Sequence, residues 1–233
     1  RKTRSNKRPE SEPKQAQIRL ILPRTPNQVD YYESILNNTI TIATGLAGSG
    51  KSILALSAAI KLMKDSPNLY ERIVIIRPYV FNLIAEKIGA LPGTLSEKVE
   101  PFVMAVKDNL RCMMSDYEAE NFMKNIEFCV LTTCRGRSFN NTIIIVEEAQ
   151  NIPKNGEPLK MLFTRLGKNS KLIISGDTDQ CDLPKEQCAI LGIETFLSGI
   201  EDIGFIELND FKDIQRSHLV RDILQRYSEQ KHG

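Results

Sequence analysis

The chain has 233 residues, 41% of them hydrophobic and 26% charged, with a formal net charge of +2. This is the make-up of an ordinary globular protein, long enough for one well-buried domain. It excludes a membrane-spanning chain, because no run approaches the ~20 apolar residues a bilayer requires, and no secretory apolar stretch opens it. Five scattered cysteines (Cys112, Cys129, Cys134, Cys181 and Cys188) form no C-x-x-C pair, and His218 and His232 are the sole histidines, so a zinc site is not expected. An odd, dispersed set of thiols fits a reducing cytosol, and a cytoplasmic location is the expectation.

Charge is uneven along the chain. Residues 1–19 hold seven Lys/Arg against Glu10 and Glu12, or +5, which leaves the remainder near −3. This segment has two prolines by residue 13 and no aromatic residue precedes Tyr31. It reads as a disordered basic arm, serving either as a contact for nucleic-acid phosphates or as a solvated tail. Residues 20–233 are expected to form a single domain.

The first predicted strand, Thr39–Thr44, runs into Gly45-Leu46-Ala47-Gly48-Ser49-Gly50-Lys51-Ser52, a complete G-x-x-x-x-G-K-[ST] loop. A predicted helix, Ser52–Lys64, follows. This strand–loop–helix context is what the motif requires. Its glycines permit backbone angles that residues with a Cβ avoid. Successive N–H groups then surround phosphate oxygens at the positive end of the helix. Lys51 is placed for the β- and γ-phosphates of ATP and Ser52 for Mg2+.

Further along, a strand at Arg72–Arg77 precedes a long helix at Ser96–Tyr117 and a strand at Glu127–Leu131. The strand Thr142–Val146 ends in Glu147-Glu148. A carboxylate at such a tip holds magnesium directly or through water, and its neighbour orients or deprotonates the attacking water, so Glu147 is assigned to the metal and Glu148 to the base. A helix at Glu157–Leu166 leads to the strand Lys171–Ser175, followed by Gly176-Asp177-Thr178-Asp179-Gln180. Gln180 is placed to touch both the γ-phosphate and the water, with Asp177 either to position it or to bond water in the magnesium shell. A helix at Ile193–Ser198, a strand at Gly204–Leu208 and a helix at Leu219–Gln230 complete the pattern. The runs Ile-Val-Ile-Ile at 73–76 and Ile-Ile-Ile-Val at 143–146 are apolar on both faces. They belong in a mostly parallel sheet with helices on both faces, an α/β architecture with ligands at the carboxyl ends of the strands.

These motifs, in this order, resemble the PhoH family of ATPases, which is related to superfamily 1 helicases and has a RecA-like P-loop core. The resemblance extends over residues 17–229. It includes Ile21 to Gln28 with Tyr31-Tyr32, Arg77-Pro78, Leu91-Pro92-Gly93-Thr94 and Lys98. It continues through Arg135 to Phe139, Leu166-Gly167, Ser170-Lys171, Asp182-Leu183-Pro184 and Asp213 to Ser217. It implies that Gln28 reads the adenine edge, that a neighbouring subunit of a homo-oligomeric ring, a hexamer, completes the site, and that the work is on single-stranded RNA or DNA, with RNA favoured. The sequence departs from the family where Glu147 replaces Asp, where Asn151–Pro158 is longer, and where Phe81 and Asn82 stand in a segment that is usually acidic and glycine-bearing. Tyr79 and Phe81 offer either a stacking surface for bases or core packing.

Phosphoryl transfer also calls for an arginine near the transition state. The chain is too short for the second core of a two-domain helicase, so the arginine is expected from within or from a neighbour. Arg165 acting in trans is the first choice, then Arg216, then Arg137. A small-molecule kinase and a slow, nucleotide-gated binding module share the phosphate loop and remain as alternatives.

Overall fold

The computed structural model describes residues 18–78, 95–154 and 158–232, with side chains for all of these except 95–99 and 228–232. Six strands form one parallel sheet. They are β1 (Ile40–Gly45), β2 (Arg72–Arg77), β3 (Ile126–Val130), β4 (Thr142–Val146), β5 (Lys171–Gly176) and β6 (Ile203–Leu208). Their order is β3-β2-β4-β5-β1-β6. The register is close-knit in the centre, where Ile145 faces Ile75 on one side and Ile173 on the other.

Strand alternation sorts the apolar residues into two cores. Ile73, Ile75, Ile143, Ile145 and Ile173 point to one face and pack with Tyr31, Leu54, Ile60, Val106 and Leu110. Those partners lie on helices α1 (Pro26–Asn37), α2 (Lys51–Asp65) and α3 (Leu95–Arg111). Val74, Ile76, Ile144, Val146 and Ile174 point the other way, onto Leu159, Leu162 and Leu197. Burial of each such side chain stabilises by about 1.5–3 kcal/mol. The central strands are therefore covered on both faces, as their unbroken apolar runs require.

Three boundaries differ from expectation. Helix α1 is not signalled by apolar periodicity. Instead Thr25 caps it by accepting from the Gln28 N–H, Pro26 supplies its first turn, and Lys171 Nζ bonds the Leu36 and Asn38 carbonyls at its end. The long helix expected over 96–117 is broken. Ser115 and Glu118 form a reciprocal capping box that starts a separate helix, α4 (Asp116–Phe122). The expected helix 157–166 shortens to α5 (Pro158–Phe163) because Phe139 N–H bonds the Arg165 carbonyl in a bridge beside the sheet. Helices α6 (Ile193–Leu197) and α7 (His218–His232) fall where expected. Just before residue 20, Ile18 packs on the first core and Arg19 N–H bonds the Met113 carbonyl at 2.7 Å. The remainder of the basic arm, and Tyr79 and Phe81, lie outside the described residues.

Candidate active site

The site is built where β1, β4 and β5 end. Strand β5 lies between β1, which carries the phosphate loop, and β4, which carries the acidic pair. Strand β5 thus separates the two strands that deliver Lys51 and Glu148. A cleft of about 590 Å³ opens there, lined by Gln28, Lys51, Glu148, Asp177, Gln180 and Arg216 among others. Ala47, Gly48, Gly50 and Ser52 form its floor, and Ile21, Leu22, Ile53 and Leu54 give it an apolar flank.

The phosphate loop has the geometry of an anion cradle. Gly48 and Gly50 have φ of +80° and +87°, which side chains with a Cβ rarely adopt. Gly50 caps α2 without any side chain accepting from the helix's first turn, so those N–H groups are left for an external anion. Lys51 Nζ bonds the Gly45 carbonyl at 2.8 Å, the Leu46 carbonyl at 2.9 Å and Ser49 Oγ at 3.2 Å. Burial pushes the Lys51 ammonium below its ordinary range, opposed by Asp177 and Glu148. Burial pushes the Asp177 carboxyl upward, opposed by the Asp179 N–H and by Lys51. The two groups thus offset part of each other's desolvation across the cleft. A magnesium–triphosphate fits this donor set: free N–H groups, one ammonium, the Ser52 hydroxyl and carboxylates beyond.

The two adjacent acids are placed differently. Glu148 has φ of 54° and ψ of 38°, a left-handed conformation that a residue with a Cβ holds at a cost, and its side chain is exposed in the cleft. Gln150 Nε2 donates to Glu148 Oε2 at 2.7 Å, and Gln150 Oε1 accepts from the Asp177 N–H at 3.0 Å. One buried amide therefore fixes the ends of β4 and β5 to each other. Gly176 is required here, because a Cβ would lie 2.9 Å from the Gln150 nitrogen. Glu147, by contrast, is buried, and Arg77 grips its Oε2 through Nε at 3.2 Å and Nη2 at 3.0 Å. Arg77 in turn lies over the Phe102 ring, 4.4 Å from its centroid. Arg77 thereby occupies one of the two carboxylate oxygens of Glu147. Only Oε1 is left without a hydrogen bond among the described residues, which suits an outer-sphere contact through water.

A second set of contacts binds the leading segment to the loop. Gln28 is buried, its Nε2 donating to the Ser49 carbonyl at 2.9 Å and the Asp213 carbonyl at 3.1 Å, while its Oε1 accepts from the Arg24 N–H at 2.9 Å. Both of its amide hydrogens are thus engaged within the chain, and its Oε1 keeps a second lone pair. Asp213 is a buried hub that accepts from Thr25 Oγ1 and from Asn27 Nδ2. Gln215 N–H bonds the Gly48 carbonyl at 2.9 Å, and a Cβ at Gly48 would meet Arg216 Cγ at 3.2 Å. Arg216 is exposed and lines the cleft within its own subunit.

The other two arginines lie elsewhere. Arg137 Nη1 pairs with Glu127 Oε1 at 2.7 Å on β3, the opposite edge of the sheet from β6. From β3 to β1 is four strand spacings, ~19 Å. Arg165 Nη1 bonds the Arg137 carbonyl at 2.9 Å. Neither lines the cleft of its own subunit, as Arg216 does. Sequence reasoning passed over Gln150, Asp213 and Arg77. All three sit inside motifs already recognised, but their roles depend on partners 27 to 188 residues away.

Residues 20–228 match the family described as PhoH-like protein. A PhoH-like protein of Mycobacterium leprae is 37% identical over 212 residues, which is 90% of this chain and 59% of that protein. A PhoH-like protein of Bacillus subtilis is 36% identical over 220 residues, 93% of this chain and 67% of that protein. The chain thus spans about three fifths to two thirds of the length of these relatives. Among solved structures, the Pyrococcus furiosus Hef helicase domain overlaps 79% of this chain and 38% of its own, with a TM-score of 0.46 and 16% identity. With its phosphate loop, acidic strand tip and parallel sheet in place, the chain belongs to the PhoH-like family.

Proposed function

We propose that this protein hydrolyses ATP and couples hydrolysis to movement along, or remodelling of, single-stranded nucleic acid, RNA in preference to DNA, as a six-membered homo-oligomeric ring. The observation that carries the hydrolytic part is that Lys51, Glu148, Asp177, Gln180 and Arg216 line one cleft. Lys51 leaves the loop carbonyls to bind the β- and γ-phosphates. Ser52 and, through water, Glu147 hold magnesium, which when bound neutralises phosphate charge. Glu148, fixed by Gln150, orients the attacking water and takes its proton. Gln180 contacts both the water and the γ-phosphate, and Asp177 sets the start of its loop. Arg216 stabilises the charge that develops in the transition state. Gln28 accepts from the exocyclic amino group of adenine.

The nucleic-acid part is supported by the +5 charge of residues 1–19 and by the family resemblance, and the ring by the resemblance alone. Arg165 acts across subunit boundaries in this reading. The test is the rate of phosphate release from ATP, without any acceptor, in the presence and absence of single-stranded RNA and DNA. A several-fold stimulation by RNA is expected. A rate indifferent to both polymers sinks the motor and leaves a slow nucleotide-gated module. Phosphate released only when a small-molecule acceptor is added indicates a kinase.

A further inference from the structure

Strand β3 is an edge strand, and its outer end carries a cluster that the ATPase site does not use. Cys129 sits on β3 and Cys134 ends the short helical turn at Leu131–Cys134 that follows it. Arg137 Nη1 donates to Cys129 Sγ at 3.1 Å. Cys129 Sγ donates to Glu127 Oε1 at 3.3 Å, and Arg137 Nη1 also pairs with that oxygen at 2.7 Å. Arg72 Nη1 holds the other carboxylate oxygen at 3.2 Å, and the Phe139 ring supports the Arg137 guanidinium from 4.7 Å. Cys134 Sγ lies on the Val130 carbonyl at 3.7 Å, in the same packed cluster as Cys129 and close enough for the two thiols to influence each other. Cys134 is fully buried, whereas Cys129 keeps 9% of its surface open.

This arrangement supplies a nucleophile, a cation beside it, a proton acceptor and a second thiol within contact. We propose that Cys129 and Cys134 form a peroxide-reactive dithiol, with Cys129 as the attacking sulfur and Cys134 as the resolving one. Cys129 sulfur attacks one oxygen of hydrogen peroxide and the O–O bond breaks. The thiol proton leaves by way of Glu127 and joins the departing hydroxide as water, giving Cys129 sulfenic acid. Cys134 sulfur then attacks the Cys129 sulfur. The S–O bond breaks, and the departing hydroxide takes the Cys134 proton as a second water. Two thiols and one peroxide become one disulfide and two waters, and the two electrons pass from sulfur to oxygen.

The pair's titration agrees with these roles. The neighbouring Cys134 thiol holds Cys129 below the ordinary thiol range, against burial and Glu127, and Arg137 acts in the same downward direction. The same contact and burial push Cys134 upward. The molecule contains its own control. Cys181 lies near Cys188, but its Sγ donates to the Gln150 carbonyl at 3.1 Å, and burial pushes it up with no arginine or lysine acting against that. Exposed Cys112 donates its Sγ hydrogen to the Asp108 carbonyl instead.

The test treats the full-length chain with hydrogen peroxide and maps its thiols by mass spectrometry under non-reducing conditions. The Cys129–Cys134 disulfide should form first, several-fold faster than any change at Cys181, Cys188 or Cys112. Cys134→Ser should stop at a Cys129 sulfenic acid that a cyclic 1,3-dione traps. Arg137→Gln should slow the reaction several-fold, and Arg137→Lys should restore part of the rate, which a purely structural loss of Arg137 would not allow. Oxidation at Cys112 or Cys181 ahead of Cys129, or a Cys134→Ser protein with no dione adduct at Cys129, overturns the proposal. If Cys134→Ser does not fold, the order of oxidation in the unaltered chain decides alone.

Discussion

Arginines at the two ends of this sheet show how position separates a structural cation from a chemical one. At the carboxyl end of β1, Arg216 lies exposed against the phosphate loop and lines the cleft. Beside β3, Arg137 is committed to Glu127, Cys129 and the Phe139 ring, and Arg165 to the Arg137 carbonyl. A guanidinium already locked by a carboxylate and a ring face must break those contacts before it can serve a phosphate, whereas Arg216 faces the cleft without moving far. The same contrast divides the adjacent acids. Glu147 is buried under Arg77 and supports the site, while Glu148 projects into it. Availability for chemistry follows from what a charge is already bonded to.

The largest expected effect comes from removing the cradle's own cation. Lys51→Ala should reduce ATP turnover to background and weaken nucleotide affinity by more than about tenfold, ~1.4 kcal/mol, measured by fluorescent-nucleotide titration. Arg216→Ala should lower turnover by about 10³–10⁵-fold with nucleotide affinity much less affected; a change confined to affinity would move Arg216 from transition-state to ground-state binding. Gln28→Ala removes the donor that serves the buried Ser49 and Asp213 carbonyls. Leaving such groups unpaired costs about 1–3 kcal/mol, read as a lower denaturant midpoint, together with weaker ATP binding as the loop loosens.

Arg165→Ala should have the smallest effect on the isolated subunit. Loss of its bond to the Arg137 carbonyl costs about 1 kcal/mol and leaves ATP affinity unchanged. Any collapse of turnover must then act between subunits. In that case, mixing Arg165→Ala with Lys51→Ala subunits should restore activity, since each supplies what the other lacks. Unchanged turnover in Arg165→Ala would remove Arg165 from the mechanism and leave Arg216 as the sole cation of this class.

Much of this was legible in the chain itself because local pattern and chemistry coincide. The apolar runs of β2 and β4, the glycines of the phosphate loop and the acids after Val146 each announce themselves within a few residues. Helix α1 did not, because its start depends on a Thr25 cap and Pro26 and its end on Lys171 from a distant strand. The break between α3 and α4 hid in Ser115 and Glu118, a capping box whose spacing was visible but whose effect on a continuous helical pattern was not weighed. The division of labour between Glu147 and Glu148 was only half readable. Their order fixed which lies nearer the strand, but the grip of Arg77 comes from 70 residues away. Gln28 illustrates the same limit. Its residue type suits a purine, yet folding commits its amide hydrogens to the Ser49 and Asp213 carbonyls.

The account rests on Glu148 as the base of a hydrolytic cleft, and one measurement tests it most directly: phosphate release from ATP by the unaltered chain and by Glu148→Gln, with nucleotide binding followed in parallel. Binding should be equal, and release should fall by about 10²–10⁴-fold in the variant. Equal release from both proteins would contradict the account.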